Sequence, residues 1–202
     1  GYYTPAQQAR FQLEDQIVRL TSFTDAQVPN RQLLLAEANA YAGYMYTILA
    51  EGMCEMTIDK GPKLTPAQVL AIADQKFTAA IAAATTANNA SALNMARVGR
   101  ARTRLDLGNL PGAAADAALV PAGFVRNAEF SETVTNRENR LFNLTVRNDF
   151  LSVHPDYRGL TVNGAADPRV RVTDMRRIGP DNATPIWQQQ KFIGSGAVPI
   201  PM

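Results

Sequence analysis

The run MARVGRARTRLDLGNLPGAAADAALV, Met95 to Val120, decides the fold. It reads as one helical hairpin: an arginine-studded, alanine-rich helix, a turn over Gly108-Asn109-Leu110-Pro111-Gly112, and a second alanine-rich helix. Gly108 stands where the first helix stops and Pro111 in the opening turn of the next, the usual asymmetry of stop and start residues. The small side chains of Ala96, Ala101, Ala113 and Ala117 predict close approach of helix backbones. Nothing in the run is catalytic, so function has to come from what surrounds it.

Upstream, Thr65-Pro66-Ala67-Gln68 carries a cap, a proline at the first helical position and a glutamine three after the cap. The helix it opens runs to about Thr85, with Leu70, Ala73, Phe77, Ala80, Ile81 and Ala84 on one face. Asn88-Asn89 ends it and caps the next helix, which begins near Ala90. Thr4-Pro5-Ala6-Gln7 repeats the start signal and predicts a helix from Pro5 to Thr21, with Ala9, Leu13, Ile17 and Leu20 at helical spacing. After Pro29-Asn30, a helix from Arg31 to about Met53 is expected to bury Leu34, Ala38, Tyr41, Met45, Ile48, Leu49 and Gly52. The stretch from Met53 to Leu64 reads as a loop. Four to five helices on short turns imply antiparallel neighbours.

Downstream the texture changes. From Phe124 no helical period lasts beyond about two turns, and His154-Pro155, Asp167-Pro168, Gly179-Pro180, Thr184-Pro185 and Val198-Pro199-Ile200-Pro201 demand loops and very short strands. Arg140 to Phe150 predicts a short helix or strand, and Ile186-Trp187 and Lys191-Phe192-Ile193 are the best strand candidates. The expected class is mainly α: helical hairpins over residues 1–123, then a loop-rich segment over 124–202 whose short strands pack on the helices as one structural unit.

Composition narrows the function. With 202 residues and 46% hydrophobic content the chain can build a core. A net charge of +2 from 20 basic and 18 acidic side chains gives no reason to expect nucleic acid as a partner. One cysteine, Cys54, allows no internal disulfide, and one histidine, His154, excludes multi-histidine metal sites. No cofactor or metal is required, and no motif places a carboxylate pair for glycoside hydrolysis, so a non-enzymatic protein is expected. No apolar run approaches the roughly 20 residues of a membrane-spanning helix. Gly1 at one end and the apolar Gly196–Met202 segment at the other read as cut ends of a longer protein or processed precursor.

Self-similarity adds a repeat. Ala73, Phe77 and Ala80 follow the spacing of the second helix of a tetratricopeptide repeat, and Ala113, Ala117 and Val120 repeat it, with Ala101 and Gly108 at the small-residue and turn positions of the preceding helix. Four strings in order then carry a likeness: Gly52-Met53-Cys54-Glu55-Met56 through Gly61-Pro62 and Leu64-Thr65-Pro66-Ala67, the run from Ala96 to Phe124, Asp167-Pro168-Arg169-Val170, and Gln190-Lys191-Phe192 before a Pro-Ile-Pro tail. Together they resemble the RagB/SusD family from about Leu33 onward. The resemblance implies tetratricopeptide-like hairpins followed by a loop-rich ligand-binding half. It also implies residence on the outer face of an outer membrane, and capture of glycans or other nutrients for a TonB-dependent, SusC-like transporter.

The chain departs from that pattern in length, in lacking a lipoprotein signal, and in placing Cys54 internally. Membrane association would then run through a partner or a missing lipid anchor. A shortened relative serving as a structural or interaction subunit of a larger assembly, with no small ligand, is the alternative.

Sugar binding needs aromatic faces, which points to Trp187 and Tyr157, with Tyr2 or Tyr3 beside them. The competing role for Trp187 is to anchor the loop-rich half onto the helices; Tyr41, Tyr44 and Tyr46 lie on or around a buried helix, and core packing is expected of at least Tyr41. Arg97, Arg100 and Arg104, with Arg102 alongside, share a helical face fit to dock a partner's carboxylate or phosphate. Their competing role is ion pairing with Asp74, Asp106 or Asp116. Arg169, Arg171, Arg176 and Arg177 have a similar reading as loop tethers. Glu51, Glu55 and Asp59 are candidates for a cation site, His154 for a loop hydrogen bond, and Cys54, between Met53 and Met56, for a small buried apolar residue.

Overall fold

A computed structural model describes residues 2–134, 137–194 and 200–201. The chain is mainly helical and divides into two compact units, Gly1–Arg126 and Asn127–Met202. The first unit holds α1 (Tyr3–Thr21), α2 (Arg31–Gly52), a small antiparallel pair β1 (Met56–Thr57) and β2 (Lys63–Leu64), α3 (Pro66–Thr86), α4 (Ala90–Asp106) and α5 (Leu110–Ala118). Each helix packs on its neighbour in sequence, and α2 also reaches α4.

The starts of α3, α4 and α5 follow from side-chain caps. Thr65 Oγ1 accepts the Gln68 N–H while Gln68 Oε1 accepts the Thr65 N–H, a full capping box with Pro66 at the first helical position. Asn89 and Asn109 cap α4 and α5 through the Ala92 and Gly112 N–H groups. The expected cap at Thr4 does not form. Helix α1 begins at Tyr3, the Tyr2 carbonyl accepts the Ala6 N–H, and Gln7 instead donates to Tyr3 Oη and the Thr57 carbonyl.

Phe77 of α3 is the centre of the helical core. Its ring is fully buried and lies against Gly43 of α2 and Gly99 of α4, where an added Cβ would collide with it. Tyr44 meets the ring edge-on at 5.0 Å and donates its hydroxyl proton to the Met95 carbonyl at 3.0 Å. One turn further along each helix, Thr47 and Thr103 approach to 2.9 Å. Their two hydroxyl protons serve three contacts, of which two form at any moment: one between the hydroxyls, one to the Gly43 carbonyl and one to the Gly99 carbonyl. The close approach expected of alanines is therefore made by glycines; Ala96 is buried, but Ala117 is exposed.

The buried face expected for α2 is also corrected. Ala38 and Leu49 are buried as expected, but Leu34 and Gly52 are exposed and Tyr41, Met45 and Ile48 half-buried, while Ala36, Ala40, Tyr44, Thr47 and Ala50 are buried in their place. Because α2 packs on α1 as well as on α3 and α4, it buries two sides and no single stripe describes it. The α1 seam is polar: Lys76 pairs with Glu14, which accepts the Tyr46 hydroxyl, and Arg10 pairs with Asp59 while its guanidinium sits 6.0 Å from the Tyr46 ring centre. Burial pushes the Tyr44 and Tyr46 hydroxyls up to about 12.

In the second unit β3 (Asn127–Ala128) pairs with β8 (Ile200–Pro201), β4 (Thr161–Val162) with β5 (Ala165–Ala166), and β6 (Val172–Ile178) with β7 (Pro185–Gln189), all antiparallel. A three-residue helix, α6 (Arg140–Phe142), runs into a π-helical turn over Asn143–Arg147, and Pro155–Tyr157 forms a single 3-10 turn. Ile186-Trp187 lies in a strand as expected. Lys191-Phe192-Ile193 does not: Gln189 Oε1 accepts both the Lys191 and Phe192 N–H groups and turns the chain out of the ladder.

Candidate functional site

The sequence candidates fall in different places. Tyr2 and Tyr3 belong to the helical unit, where the Tyr2 hydroxyl seats on Gly52 and the Tyr3 hydroxyl accepts from Gln7. Trp187 and Tyr157 belong to the loop-rich unit. Trp187 is half-buried in β7; its N–H donates to Ser152 Oγ at 2.9 Å and its carbonyl accepts the Val153 N–H at 2.8 Å. The Arg158 guanidinium stacks 4.8 Å from the indole centre and donates twice to the Val153 carbonyl. Tyr157 precedes that arginine in the 3-10 turn and is 58% exposed. One turn thus supplies both the cation on the indole and an exposed aromatic ring beside it in sequence.

The α4 arginines are spent inside the helical unit. Arg100 grips the buried Asp116 of α5 through Nε and Nη2, at 2.8 and 2.6 Å, and reaches Thr78 of α3. Arg104 donates to Asp74 on α3 and to Asp116, at 2.8 and 2.9 Å. Arg97 donates to the Leu119 carbonyl at the end of α5, and Arg102 makes a two-pronged pair with Glu51 of α2. Charge-assisted hydrogen bonds to Asp116 strengthen the protonated form of Arg100. Of the two roles weighed for these arginines, the structure shows the ion pairing: Arg100 and Arg104 form a ladder with Asp116 and Asp74 that ties α3, α4 and α5 together.

No cation site forms from Glu51, Glu55 and Asp59, because each meets a different basic residue: Arg102, Lys63 and Arg10 respectively. Among the described residues no group of His, Cys, Asp and Glu side chains is placed to hold a metal. Desolvation and the neighbouring Glu51 carboxylate raise the Asp106 pKa. His154 Nδ1 accepts the Asp156 N–H at 3.4 Å, the expected loop hydrogen bond. Cys54 is exposed, correcting the expectation of a buried thiol; Met56 takes the interior position as β1 begins.

The loop-rich unit has two recesses of interest. A cavity of about 120 Å³ is lined by Asp149, Phe150, Ser152, Pro180, Asp181, Thr184 and Ile186. Its carboxylates are occupied. Asp149 accepts from Gln188 and Arg177, and Asp181 accepts from Ala183 and Thr184, which hold it at about 2. These bonds lock the loop between β6 and β7.

The second recess, a cleft of about 300 Å³, is lined by Pro168, Arg169, Arg171 and Lys191. Arg169 folds back on Asp167 through two guanidinium bonds of 2.9 and 2.7 Å, and with the Arg169 N–H it holds that carboxylate at about 2. Arg171 and Lys191 have no carboxylate partner among the described residues; Lys191 lies 5.4 Å from its neighbour's ring, Phe192. Of the four later arginines read as tethers, Arg169 and Arg177 fill that role, through Asp167 and Asp149. Arg171 does not.

No family model, curated protein or solved structure matches the chain. The site therefore rests on its own geometry. The cleft joins two separate strings, Asp167–Arg171 and Gln190–Lys191, because β6 and β7 pair with Val172 opposite Gln189 and the Gln190 N–H donates to the Arg171 carbonyl at 3.0 Å. That pairing is the signal that would have assembled it: a strand at 172–178 placed beside 185–189 brings Arg171 and Lys191 to the same end.

Proposed function

We propose that this is a non-enzymatic, SusD-like binding protein that captures glycans or other nutrients at the outer face of an outer membrane for a TonB-dependent, SusC-like transporter. What carries the reading is the order of parts. A helical array ends at Arg126, and a separate loop-rich unit follows that presents Trp187, Tyr157 and a polar cleft. The helices are read as tetratricopeptide-like hairpins, a reading supported by the complete burial of Ala73, Phe77 and Ala80. Of the second set, Ala113 and Ala117 lie on α5, the last helix of the first unit, and Val120 lies just past its end; Ala117 faces solvent as it would on a terminal repeat. No helix among the described residues is long and apolar enough to cross a membrane, so membrane association would come from the transporter or from a lipid anchor.

One observation favours a second reading, a helical-repeat interaction subunit of a larger assembly. At the α5 end of the array Leu105, Leu110 and Leu119 are 56, 60 and 57% exposed, an apolar edge of the kind that another protein covers. Calorimetric titration of the chain with a glycan panel, paired with Trp187→Ala, separates the two. Saturable heat with at least one glycan, lost in the variant, supports capture. No heat from any glycan, with stable co-purification in a protein complex, moves the assignment to the interaction subunit. A SusC-like transporter gene beside this one is the expected genomic context.

A further inference from the structure

We propose that the cleft lined by Pro168, Arg169, Arg171 and Lys191 is a binding site for an oxyanionic group, a carboxylate, sulfate or phosphate ester, on a small ligand. The inference gives the capture reading a ligand class, acidic rather than neutral saccharides, and rests on that reading only for its biological use. Binding of the anion itself is a property of the cleft.

Charge is the first argument. Arg169 is neutralised by Asp167, which lies buried beneath it, so the uncompensated charge of the lining is that of Arg171 and Lys191. Elsewhere Arg10, Arg31, Lys63, Lys76, Arg100, Arg102, Arg104, Arg126 and Arg177 meet carboxylates, and Arg97 and Arg158 spend their guanidinium groups on backbone carbonyls. Lys60, Arg137, Arg140 and Arg176 also lack a carboxylate partner among the described residues, but only Arg171 and Lys191 line one of the described clefts together. Two cations left unpaired at one cleft repel each other, and an anion between them removes that repulsion and adds attraction to both.

Preorganisation is the second argument. The backbone around each cation is tied down by local hydrogen bonds rather than left as an open loop. The Asp167 N–H donates to the Leu160 carbonyl at 2.8 Å, the Arg169 N–H to Asp167 Oδ1 at 2.9 Å, and the Lys191 N–H to Gln189 Oε1 at 2.8 Å. The Gln190 N–H to Arg171 carbonyl bond then holds the two segments side by side. Ligand binding consequently orders side chains and little backbone, which lowers its entropic cost.

Side-chain chemistry sets the ligand class. A guanidinium presents a planar fork that matches the two oxygens of a carboxylate, sulfate or phosphate, and a lysine adds a compact charge with three donors. A volume of about 300 Å³ is at the lower limit of ligand pockets, fit for a single charged sugar or the charged unit of a longer chain. Arg176 is also exposed and without a carboxylate partner among the described residues, but it lines no cleft, which makes it the natural control.

The test is calorimetric titration of the full chain with sodium sulfate, sodium phosphate and sodium galacturonate at constant ionic strength, with galactose as the neutral arm. The expected result is saturable 1:1 binding of at least one anion. Arg171→Ala and Lys191→Ala should each weaken it by about tenfold or more, the scale of one charge-assisted hydrogen bond, while Arg176→Ala changes it less than about twofold. Whichever of the three anions binds tightest identifies the group as sulfate, phosphate or carboxylate. Backbone amide shifts on titration should centre on residues 169–171 and 190–192, and unchanged circular dichroism of the variants establishes that they fold. Non-saturable heat, equal affinity in Arg171→Ala, or equal loss in Arg176→Ala overturns the site. Failure here with neutral-glycan binding retained at Trp187 overturns the oxyanion inference alone; anion binding without any glycan binding overturns the capture reading alone.

Discussion

On α4, Arg100, Arg102 and Arg104 meet Asp116, Glu51 and Asp74, whereas beside the β6–β7 hairpin Arg171 and Lys191 meet no carboxylate among the described residues. The residue types are alike and their uses are opposite. In the helical unit the one buried residue of α5 is Asp116, and the pairs it makes with Arg100 and Arg104 join α5 to α4. In the loop-rich unit the same chemistry is left facing a cleft. A cation's partners, more than its exposure, distinguish a structural arginine from a binding one.

Asp116→Ala carries the largest expected effect. Removing the buried carboxylate takes from Arg100 its carboxylate partner and leaves Arg104 with Asp74 alone, so a loss of about 3 kcal/mol in unfolding free energy is expected from urea denaturation. A loss below about 0.5 kcal/mol would mean the ladder is decorative.

Alkaline unfolding probes the same unit. Tyr44 and Tyr46 ionise near 10 when unfolded and at about 12 when folded, so the unfolded chain releases its protons first. Their contribution is complete below pH 10 and is lost as pH rises through 12, on the order of 2 kcal/mol for each ring. Circular dichroism at 222 nm against pH should therefore show helix loss in that window, and a flat trace to pH 12 would contradict the burial of these rings.

Gly99→Ala is expected to act next in size. Alanine gains about 1 kcal/mol of helix propensity, but its Cβ meets the fully buried Phe77 ring, and overpacking of that kind costs about 1–3 kcal/mol. A net loss of roughly 1 kcal/mol is expected from thermal denaturation. The smallest effect belongs to Arg171→Ala, which should stay within about 0.5 kcal/mol of the native protein, because an exposed, unpaired cation contributes little to folding.

The helical unit was largely legible because its signals are local. Thr65, Pro66, Asn89 and Asn109 mark helix starts within three or four residues, and the Ala73-Phe77-Ala80 face is buried as its spacing predicts. Helix α2 was harder, since packing on two sides removes the one-sided stripe on which periodicity depends. The cleft was not legible. Strand β6, VTDMRRI, is exposed at five of its seven positions, its register shifts between Asp174 and Ile178, and Arg176 has φ 51°, so it lacks the alternation that announces a strand. Without β6, nothing in the sequence brings Arg171 near Lys191.

The most direct test of this division sets two single-arginine variants side by side in one titration with whichever of sulfate, phosphate and galacturonate the native chain binds most tightly. Arg102 is committed to Glu51 on the helices, and Arg171 is uncommitted at the cleft. The account predicts that Arg102→Ala binds within about twofold of the native chain and Arg171→Ala about tenfold or more weakly. Equal affinities for the two variants, or a loss confined to Arg102→Ala, would contradict it.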